Sequence, residues 1–229
     1  MIVLPACLGE NGSVAKPELA IYKFDARNKD TPAAGLVRDL SGHGLHLTIH
    51  GSPLFSSGAD NKSGGARMDG AHDYFSQKST QFHINGDLTI FMVFSRASSG
   101  YDKGLISWTA PGDDLQSNAA YTLQIRPSGD LVYIHETGEG SSSDYGQNNF
   151  EATGTSPVGI GWHTLTLQRK ASDQLVVARV DGQEVLRANY PRGPDGGSSD
   201  TFSIGWDSAH DTTNLFQGTM YGCAFGTPT

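Results

Sequence analysis

The chain has 229 residues, 29 of them glycine, with only 17% charged side chains and a formal charge of −8. That charge excludes a nucleic-acid backbone and an anionic membrane surface as partners, because both demand a basic face. The length allows a full core without staples, and many glycines with few charges favour tight turns over exposed helix.

The opening Met1-Ile2-Val3-Leu4-Pro5-Ala6-Cys7 has the outline of a lipoprotein cleavage box. It lacks a positive leader and its apolar run is shorter than an export signal requires, so residues 1–18 read as an N-terminal extension with no ordinary cleaved signal. No run reaches the ~18 apolar residues of a membrane helix, and no membrane insertion is expected. Ala20–Asp25 alternates and reads as the opening strand. Asp39-Leu40-Ser41-Gly42-His43-Gly44 is turn chemistry, an Asp side chain accepting N–H groups ahead of it with glycines free to take positive φ. In Leu45–His50, Leu45, Leu47 and Ile49 share one face and His46, Thr48 and His50 the other, as in a half-buried strand.

Residues 56–65 carry no periodicity. Ala66–Asp69 and Tyr74–Ser76 flank the Asp69-Gly70 turn, and Leu88–Phe94 is apolar at nearly every position, as in a strand covered on both faces. Leu105–Trp108 leads into a loop over 109–117. Tyr121–Arg126 and Leu131–Glu136 form a hairpin around Pro127-Ser128-Gly129-Asp130, and 138–156 is a long Ser/Gly/Asn loop of the length that tends to be functional or disordered. Trp162–Arg169, Leu175–Val180 and Glu184–Ala188 are further strands, the last two joined by Asp181-Gly182, the strongest hairpin signal in the chain. Thr201–Trp206 and Phe216–Phe225 close the sequence. Roughly a dozen strands without a helical stripe predict an all-β, antiparallel two-sheet sandwich of jelly-roll type, one domain over 1–229.

The order "D-x-S-G-x-G" (39–44), "M-D-G-x-x-D-Y-F" (68–75), "D-L-T-I-F-M-V-F" (87–94), "W-H-T-L-T-L" (162–167) and "V-D-G-Q-E-V" (180–185) resembles the laminin-G-like, concanavalin A-like lectin/glucanase superfamily. The resemblance covers about Ala20 to Phe225. It implies that Met68 points into the sandwich and that the terminal strands lie side by side. A Cys7–Cys223 bridge is then conceivable beside the simpler reading of two separate buried thiols. One departure stands out: Gly218–Ala224 lacks the acidic pair of the final "G-x-I-D-E-V" strand of many relatives.

Catalysis finds little support in the residues. Retaining glycosidases need carboxylates ~5–5.5 Å apart, and no "E-x-D-x-x-E" cluster exists; Glu136 and Glu139 read as solvated acids. Gln124-Ile125-Arg126 lacks the His of the alginate-lyase strand. His46 and His50 share a face but lie ~13 Å apart, too far for one ion. His43, His72 and His210 fall in predicted loops, and no "G-x-S-x-G" elbow is present.

Calcium fits better, since it takes loop carboxylates and carbonyls. Asp207, Asp211 and Asn214 are the candidate ligands, with Asp113 and Asp114 a second oxygen-rich loop and Asx-turn chemistry the alternative. Relatives in the superfamily hold calcium at the sandwich rim. A sugar needs an aromatic face and planar polar groups. Trp108, Tyr101, Asp102, Tyr145, Asn148 and Asn149 are the candidate ligand-binding set, with Tyr190 and Asp144 nearby in loops. Trp162 and Trp206, each at the end of an alternating strand, are assigned to the core. The sequence thus predicts a non-catalytic, lectin-like glycan-binding or adhesion protein, extracellular or on a virion surface. The rival readings are a virion decoration or fibre component assembling as a homo-oligomer or larger particle, and, third, a polysaccharide hydrolase or lyase.

Overall fold

The computed structural model describes residues 19–26, 29–30, 35–57, 64–97, 100, 103–109, 120–137, 149–194, 201–207 and 214–227, with the backbone alone at 29, 30, 109 and 149. The first strands in chain order are β1 (Ala20–Lys23), β2 (Lys29–Asp30), β3 (Leu36–Val37), β4 (Leu47–His50), β5 (Leu54–Phe55) and β6 (Ala66–Asp69). After them come β7 (Tyr74–Gln77), β8 (Leu88–Arg96), β9 (Lys103–Thr109), β10 (Tyr121–Ile125), β11 (Leu131–Glu136) and β12 (Asn149–Thr153). The last are β13 (Gly161–Lys170), β14 (Leu175–Val180), β15 (Gln183–Asn189), β16 (Thr201–Ile204) and β17 (Gln217–Gly226). They form two antiparallel sheets packed as a sandwich. The eight-stranded sheet runs β15-β14-β13-β8-β17-β6-β5 with β1 also on β17; the nine-stranded sheet runs β12-β11-β10-β9-β16-β7-β4-β3-β2. Among the described residues no helix is long and apolar enough to cross a membrane.

Alternation decides which face meets the core. Every residue from Leu88 to Phe94 is buried, because β8 lies between β13 and β17 at the centre of its sheet. Its inward residues join one core with those of the other sheet: the Phe225 ring lies 5.2 Å from both Phe202 and Tyr121. Met68 is buried as expected. Asp181 (φ 51°) and Gly182 (φ 81°) both take the left-handed conformation that a two-residue hairpin loop needs, joining β14 to β15. The stretch 138–156, read as loop, contains β12, which pairs with β11. The short strands β2, β3 and β5 also carried too few residues to show a period.

Among the described residues Arg96, Lys103 and Arg169 are buried cations, and the two arginines are held by neutral oxygens. Arg96 donates to the carbonyls of Val158 (2.6 Å) and Arg126 (3.2 Å). Arg169 donates to the carbonyls of Gly86 and Ala120 (2.9 Å each), to that of Ile84, and to the Tyr133 hydroxyl (2.8 Å). Tyr133 in turn meets His135 Nδ1 at 3.2 Å, and His135 Nε2 meets the Arg192 carbonyl at 2.9 Å. The terminal strands β1 and β17 pair directly, Ala20 opposite Phe225. Cys223 is a free thiol on this pair, and full burial pushes its pKa well up. Cys7 lies outside the described residues.

Candidate functional site

Carboxylate-capped turns lead into β4 and β7 of the nine-stranded sheet. Asp39 accepts the N–H groups of Ile21 (3.1 Å), Ser41 (2.8 Å) and Leu45 (3.2 Å), the turn expected from its motif. Asp69 accepts those of Ala71 and His72 (2.8 Å each) and Asp73 (3.2 Å). Slight burial raises the Asp69 pKa, but these N–H groups and the His72 ring outweigh it and hold the carboxyl at about 2. Asp73 ties this turn to the preceding one through Ser52 N–H (2.7 Å) and Asp69 N–H (2.9 Å). The result brings β4 beside β7 with His50 opposite Tyr74 and Thr48 opposite Ser76.

Phe75 and Ile204 point into the core, so their neighbours Tyr74, Ser76 and Ser203 point out. The outward row continues from Thr48 through Ser76 and Ser203 to Ser107 and Thr122. At the end of β16, Gly205 takes φ 82° and turns the chain across this face. The Trp206 carbonyl then accepts from Ser203 Oγ (2.9 Å) and Ser107 Oγ (3.1 Å), and those hydroxyls lie 2.7 Å apart. Beside them is a tier of half-buried rings. His50 stacks on Tyr74 with centroids 4.1 Å apart, and Tyr74 meets Trp206 at 4.6 Å. Burial lowers the His50 pKa and raises that of Tyr74, so the tier is uncharged at neutral pH. Deeper on the same face Thr122 Oγ1, Gln124 Oε1 and Thr201 Oγ1 are shielded from solvent and have no hydrogen-bond partner among the described residues. Of the hydroxyls in the row, Thr48 is exposed and Ser76 half-buried, and an uncharged aromatic step beside them can hold a polyol by stacking and hydrogen bonding.

Gly104 sits beneath this crossing, and a Cβ there would run into Asp207 N and Trp206 C. Backbone cannot move aside as a flexible side chain can. Gly104→Ala is expected to lower stability by roughly 1–3 kcal/mol and to alter the near-UV circular dichroism of the aromatic tier. An unchanged spectrum and urea midpoint would contradict that placement.

Trp108 requires a correction. It stands opposite Phe202 and Tyr121, on the inward face, is 0% exposed and stacks on His83 at 4.5 Å. A ring buried on both sides offers no platform to a ligand. Trp206 and Trp162, expected in the core, are respectively half-buried on Tyr74 and 46% exposed. Tyr190 is buried, its hydroxyl on the Lys170 carbonyl (3.2 Å). Asn149 opens β12 opposite Glu136. Tyr101, Asp102, Tyr145, Asn148 and Asp211 lie outside the described residues.

Of the calcium candidates, Asp207 is buried and Asn214 half-buried. They close the neck of their loop, the Asn214 carbonyl accepting from Asp207 N–H (3.4 Å) and Gly104 N–H (3.1 Å) next to the Trp206–Leu215 bridge. Among the described residues no three His, Cys, Asp or Glu side chains gather as a metal site. The residues missed by sequence reasoning are His50, Tyr74 and Trp206. The polar parity of His50 and the glycine before Trp206 were the signals available.

No family model matches the chain, and no curated protein matches it. Solved structures do. Domain 4 of AbnA, a GH43 extracellular arabinanase from Geobacillus stearothermophilus, in complex with arabinotriose, aligns with TM-score 0.58 at 14% identity, covering 94% of this chain and 95% of that one. The Ruminococcus gnavus IT-sialidase CBM40 bound to α2,3 sialyllactose aligns with TM-score 0.54 at 11% identity, over 77% and 90%. The binding domain of Botulinum neurotoxin DC, in complex with rat synaptotagmin II, gives 0.62 at 9% identity, over 92% of this chain and 48% of that one. These likenesses establish the fold. The chain has the sandwich architecture found in a CBM40 carbohydrate-binding module, in an arabinanase domain and in a neurotoxin binding domain.

Proposed function

We propose that this protein is a non-catalytic carbohydrate-binding module whose sugar stacks on the tier of His50, Tyr74 and Trp206. The observation that carries this reading is that tier itself: half-buried, uncharged rings beside the solvent-reachable hydroxyls of Thr48 and Ser76, on the outward face of a sheet. Rings and hydroxyls hold a sugar without polarising its glycosidic bond, so binding is the function they serve. Neighbours of the same architecture solved with sialyllactose and with arabinotriose give the reading its context. Adhesion to a glycan-bearing surface is the role such binding would fill. A calcium ion on the loop from Asp207 to Asn214, next to Trp206, forms the second part of the proposal.

The test is a glycan array carrying neutral and sialylated oligosaccharides, probed with the wild-type chain and Trp206→Ala, with and without EDTA. Binding that falls about tenfold or more in the variant, while its melting temperature holds, supports the site. A further loss with EDTA supports the ion. Undiminished binding by Trp206→Ala would remove the tier from the reading.

A further inference from the structure

The opposite face of the sandwich carries a cleft of about 880 Å³ on the eight-stranded sheet. One cross-strand row spans and extends it. Leu54 on β5 lies opposite Arg67 on β6, Arg67 opposite Thr219 on β17, Thr219 opposite Ser95 on β8, and Ser95 opposite Trp162 on β13. All five point outward, away from Ala66, Met68, Phe94 and Met220 in the core. The row is apolar at both ends, with Leu54 67% and Trp162 46% exposed, and polar between them. Ile160, 66% exposed, adds to the Trp162 end.

The polar middle is unspent. Among the described residues, the side chains of Arg67, Thr219, Ser95 and, one step along β17, Gln217 have no hydrogen-bond or ion-pair partner, although all four line the cleft. The two carboxylates that also line it are committed: Asp69 to its turn N–H groups and the His72 ring (3.2 Å), Asp73 to Ser52 and Asp69 N–H. A cleft bordered by two carboxylates on a chain of charge −8 is electrostatically wrong for a polyanion. It also lies across the faces of paired strands and meets a sheet edge only at the two-residue strand β5, too short to template an added peptide strand. What matches it is a ligand with many uncharged hydroxyls and apolar ring faces. At about 4.8 Å per strand interval, Arg67 to Trp162 is roughly 14 Å, the reach of a short oligosaccharide.

We infer that this cleft is a second carbohydrate site, taking a neutral oligosaccharide across the strands with one ring on the Trp162 indole and its hydroxyls on Ser95, Thr219, Gln217 and Arg67. The ligand class rests on the glycan-binding reading above; the location does not. The chain then presents sugar-binding surfaces on both sheets, and can bridge two glycan chains.

Calorimetry with arabinotriose, xylotetraose, cellotetraose and lactose, on wild type, Trp206→Ala, Trp162→Ala and Arg67→Ala, tests this. The expected result is two sugars per wild-type chain for at least one probe and one per chain in each tryptophan variant. Arg67→Ala placed in the Trp206→Ala background should weaken the remaining site about tenfold. Trp162 and Arg67 are exposed, so melting temperatures within a degree or two of wild type are expected and certify folding. If Trp162→Ala binds with wild-type stoichiometry while Trp206→Ala binds nothing, the second site falls and the first stands. If only Trp162→Ala loses binding, the inference stands and the tier falls. Wild type binding none of the probes overturns both.

Discussion

Replacing Arg169 by Met is expected to destabilise the fold by about 3–5 kcal/mol, read as a drop in the urea midpoint. The guanidinium is fully buried, and its described partners are neutral oxygens: three backbone carbonyls and the Tyr133 hydroxyl. Exchanging a buried ion for an apolar side chain is often harmless when its partners are exchanged too. Here three of the four partners belong to the main chain at Ile84, Gly86 and Ala120 and stay behind unsatisfied. Removing the cation relieves its desolvation, which is why the expected loss is below the sum of four orphaned acceptors. Arg169→Lys should fall between, because three donors on a point charge cannot reproduce a planar fork reaching four oxygens. A methionine variant as stable as wild type would show that these carbonyls find other donors.

The second large effect is acid lability through His135. The Arg192 carbonyl can only accept, so Nε2 carries the proton; Arg169 donates to Tyr133, whose own hydroxyl proton then goes to His135 Nδ1. The neutral ring satisfies every partner, and a second ring proton would face the Tyr133 proton. Burial lowers the His135 pKa to about 4, with the Arg169 charge adding to the shift and the bond to the Arg192 carbonyl opposing it. An unfolded histidine titrates near 6.5, so between these values the unfolded chain binds a proton that the native chain refuses. Stability therefore falls as pH drops from about 6.5 to about 4, by about 3 kcal/mol in total, and this contribution is constant below. His50, lowered by burial, adds to the slope with the same sign. Chemical denaturation of wild type and His135→Gln across that range measures it: the variant should start less stable and lose much of the slope. An equally steep slope in the variant would place the acid sensitivity elsewhere.

The architecture was legible because period-two alternation survives at the level of single residues. Leu45, Leu47, Ile49, Met68 and the Leu88–Phe94 run face where their parity puts them. The three tryptophans were assigned the wrong way round, and the reason is physical. Position at a strand end says nothing about which face the last residue takes; that depends on register with the neighbouring strand. Trp108 is paired with inward Phe202, whereas Trp206 follows a glycine with positive φ that carries it out of the alternation. Trp162 lies opposite outward Ser95. His50 and Tyr74 sit in plain alternating strands, and only pairing β4 with β7 makes them one stack. Nothing marked Arg169 for burial, since a single sequence holds no trace of the three distant carbonyls that gather around it.

The pairing of β1 with β17 has a mechanical consequence. Ala20 and Phe225 are cross-strand neighbours, so the main chain enters and leaves the sandwich at one point. Tension applied to both ends would act on adjacent residues there, and would peel β1 from β17 locally instead of shearing the whole body. A tether fused at either end would leave the domain free to swivel, with neither broad side committed to facing the point of attachment.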